Sequence, residues 1–284
     1  MSILSVAILA VIQGLAELLP ISSSAHVIVA ERLMGLDPSA PEMTFLLVAL
    51  HTGTTVAVLL YFWPRWKARW TSSDAAARVD LAKTLVVATA ATGVVGLALK
   101  KLIEKTLLRG LPHAEIEALF SNMPLVAAAL ACAGILIALA ARWDLGKGGE
   151  ALGVRQAGLI GAVQGLCLPF RGFSRSGATI STALIVGTSR AAAEDFSFAL
   201  SVILTPAVIA REGHRLIKAA GGMGFLTPGL FAPGLAGMVL SFFAGLAALK
   251  WLSDWLEKGR WSFFGYYCLA ASAALAGGLA FGLI

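Results

Sequence analysis

Apolar residues along this chain come in long runs, and the charged residues gather in the short stretches between them. Six runs, at roughly 43–63, 81–103, 122–142, 196–212, 230–252 and 262–284, are near the length of about 20 residues that a helix needs to cross a bilayer. The run 196–212 is short and contains Pro206, which predicts a helix that tilts, kinks or begins earlier. Two further segments, roughly 3–36 and 155–190, are apolar but interrupted. The first contains Leu19-Pro20-Ile21-Ser22-Ser23-Ser24-Ala25-His26, and the second Leu168-Pro169-Phe170-Arg171-Gly172-Phe173-Ser174-Arg175-Ser176-Gly177. Inside a bilayer such breaks are tolerated only where the backbone is buried in protein or lines a wet cavity. The pattern predicts an all-α polytopic membrane protein with six transmembrane helices plus two re-entrant pairs of half-helices.

The two interrupted segments resemble each other. Ile12-Gln13-Gly14-Leu15 matches Val163-Gln164-Gly165-Leu166, an offset of 151 residues (Val163 against Ile12). Each match is followed by a Pro, a Ser-rich turn and a second apolar helix that ends near a glycine, Gly35 or Gly187. Three expected crossings separate the copies, and an odd number makes the second enter from the opposite face. That predicts an inverted-topology repeat, whose broken helices meet near the midplane and build a site there. Repeat one covers about 1–142 and repeat two about 155–284, within a single integral membrane domain spanning 1–284.

Composition agrees with this reading. The chain is 58% hydrophobic and 13% charged, with a mean hydropathy of +0.83. A soluble domain carries nearly twice that share of charge. The net charge of +6 fits basic loops on the cytoplasmic side, and no basic cluster marks a nucleic-acid surface. Cys132, Cys167 and Cys268 all lie in apolar runs, without disulfide or zinc spacing. The first basic residue is Arg32, so a cleavable signal peptide is not expected. Placing the basic stretches 64–80, 142–155 and 250–260 inside opens the first interrupted segment to the outer face.

The chemistry gathers in the two breaks. Gln13 and Glu17 are four apart and share a helix face. A carboxylate within a membrane segment is costly and is a functional candidate by default; Glu17 could hold a divalent cation, act as a base or pair with an Arg. Ser22, Ser23 and Ser24 open a helix N-terminus, where free N–H groups and the helix dipole favour an anion. Capping would explain one of these serines, not three. Ser22 and Ser23 stand four and three residues before His26, within reach of its ring, and a Ser beside a base is the minimal activated nucleophile. Ser174-Arg175-Ser176-Gly177 places a guanidinium at a second helix start, an arrangement suited to phosphate. The partner of Arg175 is either Glu17 or a substrate phosphate. Thr179, Ser181 and Thr182 extend the polar face, and Arg171 adds a second positive charge or reaches for the interface. The hydroxyls after His51 read as helix packing, Glu194 and Asp195 as flanks of a loop after Arg190, and His113 and His214 as loop residues.

The pattern Gln13-Gly-Leu-Ala-Glu17-(x)2-Pro20-x-Ser22-Ser23-Ser24-x-His26, with the later Gly172-Phe-Ser174-Arg175-Ser176-Gly-Ala-Thr179, resembles the bacitracin-resistance-type undecaprenyl-diphosphate phosphatases. The resemblance extends over nearly the whole chain. It implies an inner-membrane enzyme, its site towards the outer side, that removes the terminal phosphate of a C55 isoprenoid diphosphate. That reaction recycles the lipid carrier of cell-wall synthesis and gives bacitracin resistance. By resemblance, Glu17, Ser23, His26 and Arg175 are catalytic, while Gln13, Ser174, Ser176 and Thr179 contact substrate; Ser22, Ser24 and Arg171 are expected to contact it from their places in the two breaks. The resemblance also implies Mg2+ or Ca2+, with Glu17 as the expected ligand. One departure is that Arg171-Gly172 stands where the family motif has Pro-Gly, which bears on substrate preference rather than on phosphate chemistry. Partners expected are the polyprenyl diphosphate, membrane lipids and a second copy in a homodimer, with no nucleic acid. The competing reading is a polyprenyl-phosphate flippase or anion transporter, since inverted repeats with broken helices serve transporters as well.

Overall fold

A computed structural model of the chain describes residues 2–38, 40–106, 109, 119–120, 122–143, 148–149, 151–219, 222 and 227–282. Among these the fold is all-α, with ten helices: α1 (Ile3–Leu18), α2 (Ser23–Leu33), α3 (Pro41–Ser72), α4 (Ala75–Thr106), α5 (Met123–Trp143), α6 (Val154–Cys167), α7 (Arg175–Ile185), α8 (Arg190–Ala219), α9 (Pro228–Glu257) and α10 (Trp261–Ala280). Six of them, α3, α4, α5, α8, α9 and α10, are long and apolar enough to cross a membrane. They are the six runs read from the sequence, and α8 does begin earlier, at Arg190, carrying Pro206 in its interior.

Several helices outlast their apolar runs. The basic stretch 64–80 is helix almost throughout, since α3 runs to Ser72 and α4 starts at Ala75. Asp74 makes that tight turn feasible, accepting a hydrogen bond from the Ala77 N–H at 2.8 Å. The 100–109 stretch likewise continues α4 to Thr106. His214 and the pair Glu194–Asp195 lie inside α8 rather than in loops. His113 falls outside the described residues. Hydropathy sees where lipid ends, but a helix needs only internal hydrogen bonds to continue into water.

The two interrupted segments are helix–break–helix units of similar build. The second helices, α2 and α7, both have 11 residues. Each is entered through a serine held at positive φ, Ser22 at 70° and Ser174 at 53°, the only non-glycine residues so placed among those described. That backbone region is sparsely populated and costs about 1–3 kcal/mol per residue, so packing around both turns must impose it. Each helix then closes on a glycine at positive φ, Gly35 or Gly187. The next N–H reaches back to the same place in both: Leu36 N to Glu31 O at 2.9 Å, and Thr188 N to Ala183 O at 3.0 Å.

The packing of the halves is reciprocal. Helix α1 lies against α9, and its counterpart α6 against α4, while α5 meets α10. Glycines let these backbones touch. A Cβ on Gly14 would stand 2.7 Å from the Ser241 carbonyl of α9, and one on Gly165 2.8 Å from the Thr92 carbonyl of α4. In hydrocarbon, close van der Waals approach of this kind replaces the hydrophobic effect as the force between helices. Phe62 of α3 stacks on Phe198 of α8 at 5.0 Å, filling the centre between the halves.

Candidate active site

Both breaks open into one cavity of about 320 Å3. Its polar end is lined by Gln13, Glu17, Ser22, Ser23, Ser24 and His51 from the first half, with Ser174, Arg175 and Ser176 from the second. Val27, Ile28, Leu47, Leu204, Val208 and Ile209 supply apolar wall beyond it. A polar pole joined to an apolar channel matches an amphiphile whose charged head sits deep.

Glu17 is the hub. It ends α1 where the Pro20 turn turns the chain back, and its side chain is 16% exposed. Arg175 donates from Nη2 to Glu17 Oε1 at 3.1 Å. Ser23 donates its hydroxyl to Oε2 at 2.6 Å, and Gln13 donates its amide to the same oxygen at 3.3 Å. Gln13 also donates to His51 Nδ1 at 3.1 Å, so that nitrogen accepts and its proton resides on Nε2. The second terminal nitrogen of Arg175, Nη1, is buried with no hydrogen-bond partner. A buried donor left unmade is expensive, and here it belongs to a group that binds phosphate well. The N-termini of α2 and α7, whose dipoles favour an anion, begin at Ser23 and Arg175 on the same wall.

His26 does not join this cluster. Its Nδ1 lies 2.8 Å from the Ser22 carbonyl, which can only accept, so Nδ1 carries the proton. Nε2 then accepts from the Tyr267 hydroxyl of α10 at 2.8 Å, and the two rings stack 5.6 Å apart. The expected contact between His26 and a serine hydroxyl is therefore replaced: the group at hydrogen-bond distance from Ser23 is the Glu17 carboxylate. Ser22 presents its carbonyl, not its side chain, to the ring. His26 braces the turn that holds Ser23.

The remaining residues divide between wall and scaffold. Ser24 accepts from the Gly172 N–H at 3.3 Å and joins the breaks of the two halves. Ser174 caps α7 through Gly177 N at 3.3 Å, and Ser176 donates to the Leu19 carbonyl at 3.3 Å. Thr179 is fully buried and bonded to Ser197 at 2.6 Å, which ties α7 to α8 and leaves it off the cavity wall. Ser181 accepts from the Trp261 indole at 3.0 Å. Arg171 lines the cavity with its guanidinium 4.4 Å above the Phe120 ring. Thr52 and Thr55 donate to their own helix carbonyls, as packing residues would, but His51 just before them faces the site. Glu194 and Asp195, expected in a loop, sit in a separate cluster where Arg65 spans both at 3.2 and 3.0 Å. Ser253 and Tyr61 complete that cluster.

No group of three or more His, Cys, Asp or Glu that could hold a metal gathers among the described residues. Glu17 has both oxygens engaged by Arg175, Ser23 and Gln13, and so is poorly prepared to ligate a cation. Hard cations are commonly held by one or two carboxylates together with substrate phosphates, and the cavity supplies a second carboxylate, Glu31.

The chain's relatives agree with this chemistry. A sequence-family model described as bacitracin resistance protein BacA matches residues 6–274. A protein of Acinetobacter baylyi named undecaprenyl-diphosphatase 2 is 58% identical over 279 residues, covering 97% of both chains. A Frankia alni protein named undecaprenyl-diphosphatase 1 is 36% identical, over 98% of this chain and 96% of its own. A Burkholderia pseudomallei protein of the same name is 34% identical over 95% of each.

Proposed function

Since the chain belongs to the bacitracin resistance protein BacA family, we propose that it hydrolyses undecaprenyl diphosphate to undecaprenyl phosphate and inorganic phosphate. The reaction would recycle the lipid carrier of cell-wall synthesis and oppose bacitracin. The observation that carries the reading is the Ser23–Glu17–Arg175 contact, with Arg175 Nη1 left to meet an anion.

In this proposal Arg175 and the helix starts bind the terminal phosphate, and the prenyl chain lies along the apolar wall. Phosphoryl transfer is chiefly positioning and charge stabilisation. Ser23 attacks the terminal phosphorus and its proton passes to Glu17; the bridging P–O bond breaks and the prenyl monophosphate leaves, taking that proton from Glu17 and restoring the carboxylate. Water, deprotonated by the same carboxylate, then releases phosphate from Ser23. His26 and Tyr267 act by fixing the turn, and Gln13 and His51 by fixing Glu17. A bound Mg2+ or Ca2+ would neutralise charge on the diphosphate.

The proposal includes the membrane arrangement. The matched α1–α2 and α6–α7 units, with three long helices between them, support re-entrant pairs in inverted topology. The basic end of α3, with Arg65, Lys67 and Arg69, supports an inner-membrane orientation with the site open to the outer side. A flippase or anion carrier of the same symmetry would have no use for a serine hydroxyl held 2.6 Å from a carboxylate. Purified protein should release phosphate from undecaprenyl diphosphate. No release with any divalent ion, and an equally inert Arg175→Ala, would overturn the phosphatase reading.

A further inference from the structure

Helix α2 presents Ser24, Ile28 and Glu31 to the cavity at helical spacing, so Glu31 lies on the same wall as the serines. Seven residues separate it from Ser24, about 10 Å along the helix at about 1.5 Å per residue. That places it beyond the polar pole, where a diphosphate seated on Arg175 and Ser23 would extend towards the prenyl chain. Glu31 is 1% exposed, and its Oε1 has no hydrogen-bond partner. Burying an unpaired carboxylate in a cavity built for an anion is doubly unfavourable for its ionised form, and a cation would complete that form. The contrast with Glu17 is direct: one carboxylate has both oxygens engaged by protein donors, whereas Oε1 of the other has none.

We propose that Glu31 is the protein's ligand for a divalent cation that bridges it to the substrate diphosphate. The inference rests on the phosphatase reading of the cavity and moves the cation from Glu17, where the family resemblance put it, to α2. Mg2+ and Ca2+ both favour carboxylate with phosphate oxygens, and the bare Glu31 oxygen offers the first of these. The other charged groups on this part of the wall are Arg171, whose charge acts on Glu31, and Glu212 of α8, which is paired with Arg215 at 3.5 Å. Arg171 could instead be the group that Glu31 serves, and the experiment separates the two.

Mn2+ binding to the full purified chain in detergent is read from the loss of the free-ion EPR signal, with a non-hydrolysable prenyl methylenediphosphonate present. Loss of even a supporting neighbour of a ligand weakens metal binding about 10–100-fold, so Glu31→Gln should weaken Mn2+ by at least about tenfold. Glu31→Asp, which keeps the carboxylate, should recover part of the affinity, and Arg171→Ala should not weaken it. Thermal unfolding of each variant shows that the fold persists. Mn2+ affinity within about twofold of wild type in Glu31→Gln overturns the proposal, as does a loss confined to Glu17→Gln. A loss reproduced by Arg171→Ala also overturns it, and makes Glu31 an anchor for that arginine. Because the readout is metal binding, these outcomes are independent of phosphate release by the wild type, which alone decides the phosphatase reading.

Discussion

The α1–α2 and α6–α7 units share a turn strained at one serine, an 11-residue second helix and a closing glycine, yet they differ at nearly every chemical position. At the offset that pairs Gln13 with Gln164, Glu17 faces Leu168; in the second helices, Ser23 corresponds to Arg175 and His26 to Ala178. Gln13 spends its amide on Glu17 and His51, whereas Gln164 donates to Thr92 of α4 at 3.0 Å, wholly within the core. Helix α7 is buried along almost its whole length, and α2 leaves one side to the cavity. A single backbone solution has thus been used twice, once to expose reactive groups and once to hold a cation rigidly against them. The lesson is that strain at Ser22 and Ser174 belongs to the scaffold, while activity depends on which side chains follow it.

Perturbations should separate the two units. The largest effect is expected from Ser23→Ala: with the nucleophile removed, single-turnover phosphate release should fall by about 10^4-fold or more, with the unfolding temperature little changed. Turnover near that of wild type would make water the direct attacker. Arg175→Ala should follow, with a fall in kcat of about 10^2–10^3-fold, the scale of losing one preorganised donor to a developing anion. It should also destabilise the protein, because Glu17 is then a buried charge without its counter-ion. On the scaffold side, Gln164→Ala strips a fully buried amide and should cost about 1–3 kcal/mol in detergent unfolding, leaving KM unchanged. A large KM effect there would show that the second unit does more than support. The smallest effect is expected from Tyr267→Phe, which frees His26 Nε2 and should lower kcat only severalfold, in keeping with one hydrogen bond of about 1 kcal/mol.

Much of this was legible in the residues. Apolar length marked the six long helices, and the paired breaks marked the site, because lipid tolerates neither charge nor open backbone outside such places. The partnership of Arg175 with Glu17 was one of two alternatives open to the arginine, and the structure takes it. The Ser–His contact does not form, since helical spacing sets only which residues are neighbours: the ring meets the Ser22 carbonyl and Tyr267, while the Ser23 hydroxyl turns to Glu17. His51 was missed because its neighbours Thr52 and Thr55 carry a packing signature, and its approach to Gln13 crosses 38 positions of sequence. Glu194 and Asp195 read as flanks of a loop because nothing local announces Arg65, 129 residues from Glu194. Glu31 drew no attention in the sequence, and only the cavity shows it facing inward.

The glycine contacts of α1 with α9 and of α6 with α4 have a mechanical meaning. Each half extends its broken helix into the grip of the other half's long helix, as two hands clasp with fingers interleaved. The clasp closes only because a hydrogen atom stands at Gly14 and at Gly165 where any other residue would carry a methyl group, which would force the paired backbones apart.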